Sequence, residues 1–475
     1  MTRGPRPGRF LALLSIAVAL ALSFHASAAS IGASAPSEVT PRDAVGQDSN
    51  PRMAEHGGKM HLFWSGNARD GSDFDIVHMA YDGVWSAPEV VTASDGAAND
   101  HTPFPVSFDG ELWLFWSTDN PSVTGGSGSD IACSKLTSAG WSPFQSLTAA
   151  YNPSGDYDPK AVVFESRLCV FFESFDSAAG VYEIAWTTNS GSGWGAPSAL
   201  VEGAGTSFNP APAAAPGGLL LAWESYDPAL GGGSGNAVIA SKSLSAAGVW
   251  SQAGVVSGGG PGRNMEPACA AHGDGVWAFW STNSSELAEG GDRDIVGRRW
   301  SPSGWSQSVE ELTPGDSGDD ASPSAVSNGE WLVLSWITES TEWGAGPDTD
   351  VAARILSGEG WSAATVLSEE DGSANDGGGN TQKAAAMGVL DKRILVLWEA
   401  GASPDFTQQS APTWLESVEI SESSGGAAPE VLGAIILISV AVIAAVGYAA
   451  VRHRTKDAAG EREQSRPKRR GKRQR

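Results

Sequence analysis

"SAPSEVT", residues 34–40, decides the fold, because it is the end of a pattern whose beginning lies nowhere near it. Downstream, "SAPEVVT" (86–92), "SPFQSLT" (142–148) and "SAATVLS" (362–368) close a longer unit. The centre of that unit is clearest in "LWLFWST" (112–118). Its relatives are "HLFWSG" (61–66), "LCVFFES" (168–174), "LLLAWES" (219–225), "VWAFWST" (276–282), "LVLSWIT" (332–338) and "ILVLWEA" (394–400). A period of roughly 50–60 residues points to propeller blades rather than helical repeats. Runs that are apolar at every position fit strands covered on both faces, as the middle strands of a blade are by neighbouring blades.

Spacing inside the unit separates fixed parts from variable ones. Pro51, Pro103, Pro159, Pro210, Pro267 and Pro323 each stand at one constant separation from a core aromatic: Trp64, Trp116, Phe172, Trp223, Trp280 and Trp336. Turn dipeptides such as Asp109-Gly110 and Asn328-Gly329 lie between them, so this block is the hairpin of strands one and two. A second block opens on an acid and a short apolar run, reaches Trp85, Trp141, Trp305 or Trp361, and ends in the "SAPEVVT" type of strand. That is the hairpin of strands three and four. Length variation therefore falls in the connections from two to three and from four to one, which emerge on the same side of antiparallel blades. Loops on a rigid scaffold carry function more often than the scaffold does, so the long-loop side is the candidate functional face.

The opening fragment now has a place. The seventh copy supplies a first hairpin (about 384–400) and a third strand, "TWLESVEIS" (413–421), but no fourth strand. "SAPSEVT" is a fourth strand with no blade before it, and Thr40 precedes Pro51 by the interval that separates Thr92 from Pro103. The two ends should complete one blade together, which makes residues 29–421 an all-β, seven-bladed β-propeller, six and eight blades being the neighbouring counts. Three cysteines, Cys133, Cys169 and Cys269, are too few for a disulfide framework.

Outside the repeat, the first 28 residues read as a secretory signal peptide: Arg3, Arg6 and Arg9, then "FLALLSIAVALAL" (10–22), then Ala26-Ser27-Ala28. After a linker at 422–430, "VLGAIILISVAVIAAVGYAAV" (431–451) is uncharged and about 31 Å long as a helix, enough to cross a bilayer. The tail 452–475 is strongly basic, which puts it in the cytoplasm, the propeller outside, and the chain in the membrane as a single-pass protein. Net charge is −25 overall, and residues 29–430 alone hold roughly 52 acids against roughly 16 bases. Such a surface repels nucleic acid and attracts cations.

"TTNSGSGW" (187–194) follows the pattern Ser/Thr-x-Asp-x-Gly-x-x-Trp, with Asn189 for the acid, and other copies keep Gly next to Trp (Gly140/Trp141, Gly304/Trp305, Gly360/Trp361). This pattern resembles the Asp box, and the domain resembles the sialidase-like propellers. That resemblance implies three arginines clamping a sugar carboxylate, a late tyrosine nucleophile paired with a glutamate, and an aspartate acid. The exterior domain has no tyrosine after Tyr226 and no early Arg-x-Pro motif, so no catalytic residue is assigned.

Asn50, Thr102, Asp158, Asn209, Glu266 and Ser322 precede the repeat prolines, where the innermost strand begins, and should ring the channel mouth. They are the candidate binding residues, along with Trp343, a loop tryptophan outside the repeat pattern and a possible stacking platform for a sugar. Asp73, Asp75, Asp130, Asp294 and Asp350 are the candidate Ca²⁺ ligands, since Ca²⁺ takes several oxygens and acid-rich loops such as "DGSDFD" (70–75) supply them. The expected function is a surface-anchored module binding a glycan or protein through its acidic face. A glycosidase using a carboxylate pair, or a structural envelope protein, are the alternatives.

Overall fold

The computed structural model describes residues 31–422 apart from 42–45, 68–72, 94–95, 97, 127, 202, 259–260, 289–290, 316, 341–348, 369–384 and 402–412. Within these limits the chain forms seven antiparallel sheets in a ring. Blades one to six run Asp48–Val90, Asp100–Ser146, Asp156–Val201, Ser207–Val255, Asn264–Glu311 and Asp320–Val366, each with its strands in sequence order from the inside outward. Blade seven takes its two inner strands from Ala386–Leu390 and Arg393–Gly401 and its third from Thr413–Glu422. The segments expected to be a signal peptide, membrane span and basic tail lie outside the described residues, as does the expected linker except for Glu422, which belongs to the third strand of blade seven.

The outer edge of blade seven is the opening fragment. Ile31–Ala33 pairs antiparallel with Glu422–Ile420, and Ser37 and Glu38 pair with Ser417 and Glu416. Next, the Val39 N–H donates to Leu415 O at 2.8 Å, and the Leu415 N–H donates to Thr40 Oγ1 at 2.9 Å. This hydroxyl latch recurs around the ring: Ile76, Ile131, Ile239, Ile295 and Val351 donate their N–H groups to Thr92, Thr148, Ser257, Thr313 and Ser368 at 2.9–3.0 Å. A strand from one terminus thus occupies, contact for contact, the position held elsewhere by a local strand. The structure bears out the clasp.

The constant interval between proline and aromatic has a backbone cause. In blades one to six the register of the first two strands slips at one place, so that two residues oppose one. The pair is the polar residue and its proline; the single residue is the core aromatic. This is a β-bulge, and proline suits it because no ladder hydrogen bond is asked of its nitrogen there. Opposite the bulge, Trp116, Trp223, Trp280 and Trp336 are fully buried and Trp64 is nearly so.

The turn tryptophans of the second hairpin are wedges between blades rather than members of their own blade's core. Trp141 meets Phe63 of blade one edge-on at 5.7 Å, Trp194 meets Trp113 and Phe115 of blade two at 5.6 Å, and Trp361 meets Trp277 of blade five at 5.8 Å. Edge-to-face aromatic pairs add to ordinary area burial, so each wedge ties a blade to the one before it. In the turn at 187–194, Asn189 Oδ1 accepts the Gly191 N–H at 2.8 Å and Asn189 bridges to Trp194. Cys133 and Cys169 are free, buried thiols.

Replacing Thr40 by valine keeps the shape and removes the acceptor of the buried Leu415 N–H. The expected loss is about 1–3 kcal/mol of unfolding free energy, measured by urea denaturation. An unchanged midpoint would mean that the terminal strand does not hold the ring closed.

Candidate functional site

Six side-chain-bearing residues share a left-handed backbone at one position of the repeat. Asn50, Thr102, Asp158, Asn209, Glu266 and Ser322 have φ of 55°, 53°, 50°, 53°, 56° and 52°. This region is sparsely populated by non-glycine residues and is costly for a β-branched one such as Thr102, so surrounding contacts must impose it. The imposing contact reaches across blades. The backbone N–H groups of Asn50, Asp158, Asn209, Glu266 and Ser322 donate to Glu399 Oε1 (2.6 Å), Ser117 Oγ (3.0 Å), Glu173 Oε1 (2.8 Å), Glu224 Oε2 (3.2 Å) and Glu266 Oε2 (2.8 Å). Each acceptor belongs to the preceding blade. The bulge thus stitches each of these blades to the one before it through these polar residues.

Four acceptors are carboxylates, and three of them occupy the position just after the core aromatic: Glu173, Glu224 and Glu399, where other blades have Ser65, Ser117, Ser281 and Ile337. With Asp158 and Glu266 they make an acidic rim. Cations stand inside it. Lys160 pairs with Asp158 at 2.6 Å, and Arg52 lies where Asp158 and Glu399 favour its charge against the cost of burial.

Blades three, four and five add aromatic and guanidinium groups to this rim. Tyr182 stands at the centre of a run of rings, 6.1 Å from Tyr157, 5.0 Å from Phe175 and 5.2 Å from Phe208, and Phe208 is 6.4 Å from Tyr226. The Tyr226 hydroxyl donates to Glu224 Oε1 at 2.7 Å and accepts from Arg263 at 3.1 Å. Beyond Arg263 opens a cavity of about 490 Å³ lined by Arg263, Met265, Asn283, Gly291, Asp292, Arg293 and Asp319. Arg293 is held by Asp319 at 3.1 Å. Glu266 follows Met265 in the strand and lies within the field of Arg293. Burial pushes its carboxyl above the usual carboxylate range and nearby Glu224 adds to the effect, while Ser322 and Arg293 oppose it. Burial likewise raises the Tyr226 phenol.

The sequence-derived binding residues occupy the same bulge position in blades one to six, Asn50 and Ser322 being buried there, and Trp343 lies outside the described residues. The acids expected to bind Ca²⁺ do not come together. Asp75, Asp130, Asp294 and Asp350 are buried one to a blade, and each accepts the latch hydroxyl of its own blade, from Thr92 (3.0 Å), Thr148 (2.9 Å), Thr313 (3.3 Å) and Ser368 (2.9 Å). Asp73 is buried in the loop beside Asp75. Among the described residues no group of three or more His, Cys, Asp and Glu side chains is disposed to hold a metal ion. Sequence reasoning missed Glu173, Glu224, Glu399 and the aromatic run. The former were visible in "FES", "WES" and "WEA", where an acid replaces the commoner small hydroxyl after the aromatic; the run had no mark, because its rings come from two blades.

No family model and no curated protein matches this chain. Solved structures with a similar course of chain include an α-L-arabinanase of Penicillium chrysogenum complexed with arabinobiose, at 13% identity and TM-score 0.43, covering 67% of this chain and 92% of that one. Another is an α-L-arabinofuranosidase of Fusarium graminearum in complex with an iminosugar inhibitor, at 11% identity and TM-score 0.43, over 68% and 93%. The catalytic domain of a Coprinopsis cinerea α-L-arabinofuranosidase gives 11% identity and TM-score 0.36, over 84% and 99%. These are distant likenesses of scaffold, and the chemistry of the site has to come from this chain's own residues.

Changing Glu399 to alanine leaves the Asn50 N–H without its acceptor and Arg52 without a flanking carboxylate, which should cost about 1–3 kcal/mol in chemical denaturation. Glutamine keeps an acceptor oxygen and should recover most of the loss. Equal stability of both variants and the parent would show that the rim carboxylate does not hold the bulge.

Proposed function

We propose that this protein is a carbohydrate-binding β-propeller that takes its ligand at the long-loop mouth of blades three to five. One observation carries the reading: the run Tyr157, Tyr182, Phe208 and Tyr226 leads into the Glu224–Tyr226–Arg263 hydrogen bonds and the cavity beyond them. Sugars present apolar C–H faces, which rest on aromatic rings, and hydroxyls, which charged planar groups grip strongly. A concave cavity with a few convergent polar groups suits a small or end-on ligand better than a flat protein partner. The eroded turn at 187–194 supports kinship with the sialidase-like scaffolds. The uncharged segment 431–451 with its basic flank supports display outside the cell on a single membrane span, so protease added to intact cells should digest the propeller and spare the tail.

A second reading rests on Glu266. A carboxyl raised above the usual range by burial, beside a second carboxylate, is the asymmetry that a glycosidase uses to separate acid from base. One experiment addresses both readings: a panel of oligosaccharides and aryl glycosides, assayed for binding by calorimetry and for release of reducing ends. Binding without release is expected, weakened about 3- to 10-fold by Tyr182→Ala, in line with the energy of one aromatic contact. Release abolished by Glu266→Gln would favour the hydrolase. No binding to any member, or binding indifferent to Tyr182, would remove the carbohydrate reading.

A further inference from the structure

One buried pairing recurs in four blades, and blade three keeps its acid without the indole. In blades one, two and six the core indole donates to the acid that opens the first strand: Trp64 to Asp48 (2.7 Å), Trp116 to Asp100 (2.8 Å) and Trp336 to Asp320 (3.1 Å). Blade five does the same with an amide, Trp280 to Asn264 at 3.1 Å. Blade three keeps the acid but has Phe172, which has no N–H to give. Asp156 is fully buried, at 0% exposure, and neither of its carboxylate oxygens has a hydrogen-bond partner. Blade four shows that the fold does not require an acid there, for it has Ser207 beneath Trp223. An acid retained without its indole needs another partner, because an uncompensated buried charge is costly.

The surroundings of Asp156 are oxygen-rich. Its N–H donates to Ser129 O, which brings it against Asp130 of blade two. Asp130 is 1% exposed; its Oδ1 accepts from Thr148, and its Oδ2 has no partner. Thr148, Ser174 and Asn152 lie near enough to Asp156 to favour its ionised form. None hydrogen-bonds to it, however: Thr148 points its hydroxyl at Asp130, and Asn152 points its amide at Ser174 (2.8 Å) and Phe175 O (3.0 Å). Among the described residues no lysine or arginine acts on either acid. The corresponding joints at Asp100 and Asp320 differ in having an indole donor.

We propose that a calcium ion sits between blades two and three, held by both oxygens of Asp156 and by Oδ2 of Asp130, with the hydroxyls of Thr148 and Ser174 adding to the oxygen shell and solvent supplying the rest. Calcium fits by donor type and by charge. Every named ligand is a hard oxygen, calcium accepts varied ligand geometries where magnesium demands an octahedron, and a divalent ion balances two carboxylates. The ion takes the place of the indole N–H as the partner that keeps Asp156 in the joint. Burial, with the Asp130 charge adding to it, pushes Asp156 up to about 7, and burial pushes Asp130 up to about 6.

The test uses the intact protein, stripped with EDTA and titrated with calcium chloride by calorimetry and thermal melting. One ion per chain is expected, with the melting temperature rising by about 3 °C at calcium about a hundredfold above its dissociation constant. Phe172→Trp supplies the missing N–H and should abolish both the heat of binding and the shift. Asp156→Asn, which copies Asn264 of blade five, should do the same and covers the case in which the larger ring does not fit. Two results overturn the proposal: a calcium shift that persists undiminished in the variants, or a stripped wild-type protein that is indifferent to calcium. In the latter case Asp156 is a buried protonated acid.

Discussion

A ring of sheets has no free edge only if its last member meets its first. Here that meeting depends on the antiparallel pairing of residues 31–40 with 413–422, two segments almost a whole propeller apart in sequence. Chain entropy opposes bringing such distant segments together, and the gain comes only when the whole circle is in register. The Thr40 hydroxyl on the Leu415 N–H fixes that register, since a slip of one residue would turn every side chain of the strand to the other face. With the ring closed, each blade has a neighbour on both sides. The fully buried aromatics at the centre of each blade depend on that double cover.

A closed ring still needs joints that hold their angle, and it uses two layers of them. Far from the channel, turn tryptophans wedge against the preceding blade. Near it, the bulge residue of one blade gives its N–H to a side chain of the blade before. The inner joint also shapes the site. The glutamates that accept the N–H of the left-handed residue are rim groups themselves. Glu224 and Glu266 therefore hold backbone N–H groups within the proposed site, and six positive φ angles are the strain that this joint carries.

The acidic composition acquires a finer meaning from this arrangement. Most acids of the domain serve solubility, but two sets are internal. The strand-three acids accept latch hydroxyls inside the blades, and the rim acids hold backbone N–H groups at the mouth. Around the rim the negative charge is interrupted by Arg52 and Lys160 within the channel and by Arg263 and Arg293 beside the cavity. A ligand approaching there meets both signs of charge and a strip of aromatic rings, which favours a polar, uncharged or mixed surface over a uniformly charged one.

Much of this was legible without a fold. The interval between Pro51 and Trp64, found in six copies, gave the blade; the orphan "SAPSEVT" gave the closure and the count; and the placing of variable lengths gave the candidate functional face. These are properties of local backbone geometry and of period, which a linear sequence carries in full. The polar residues before the prolines were found for the same reason. What only the tertiary structure decided depends on which side chains meet across a joint. Asp75 and its counterparts read as loop acids open to cations, yet they turn inward, because the latch hydroxyl that accepts the strand-three N–H also donates to them. Glu224, Tyr226 and Arg263 lie on two blades, and no spacing rule links them. Asp156 looks like its relatives in sequence; it differs because Phe172, opposite it in space, has no proton to give.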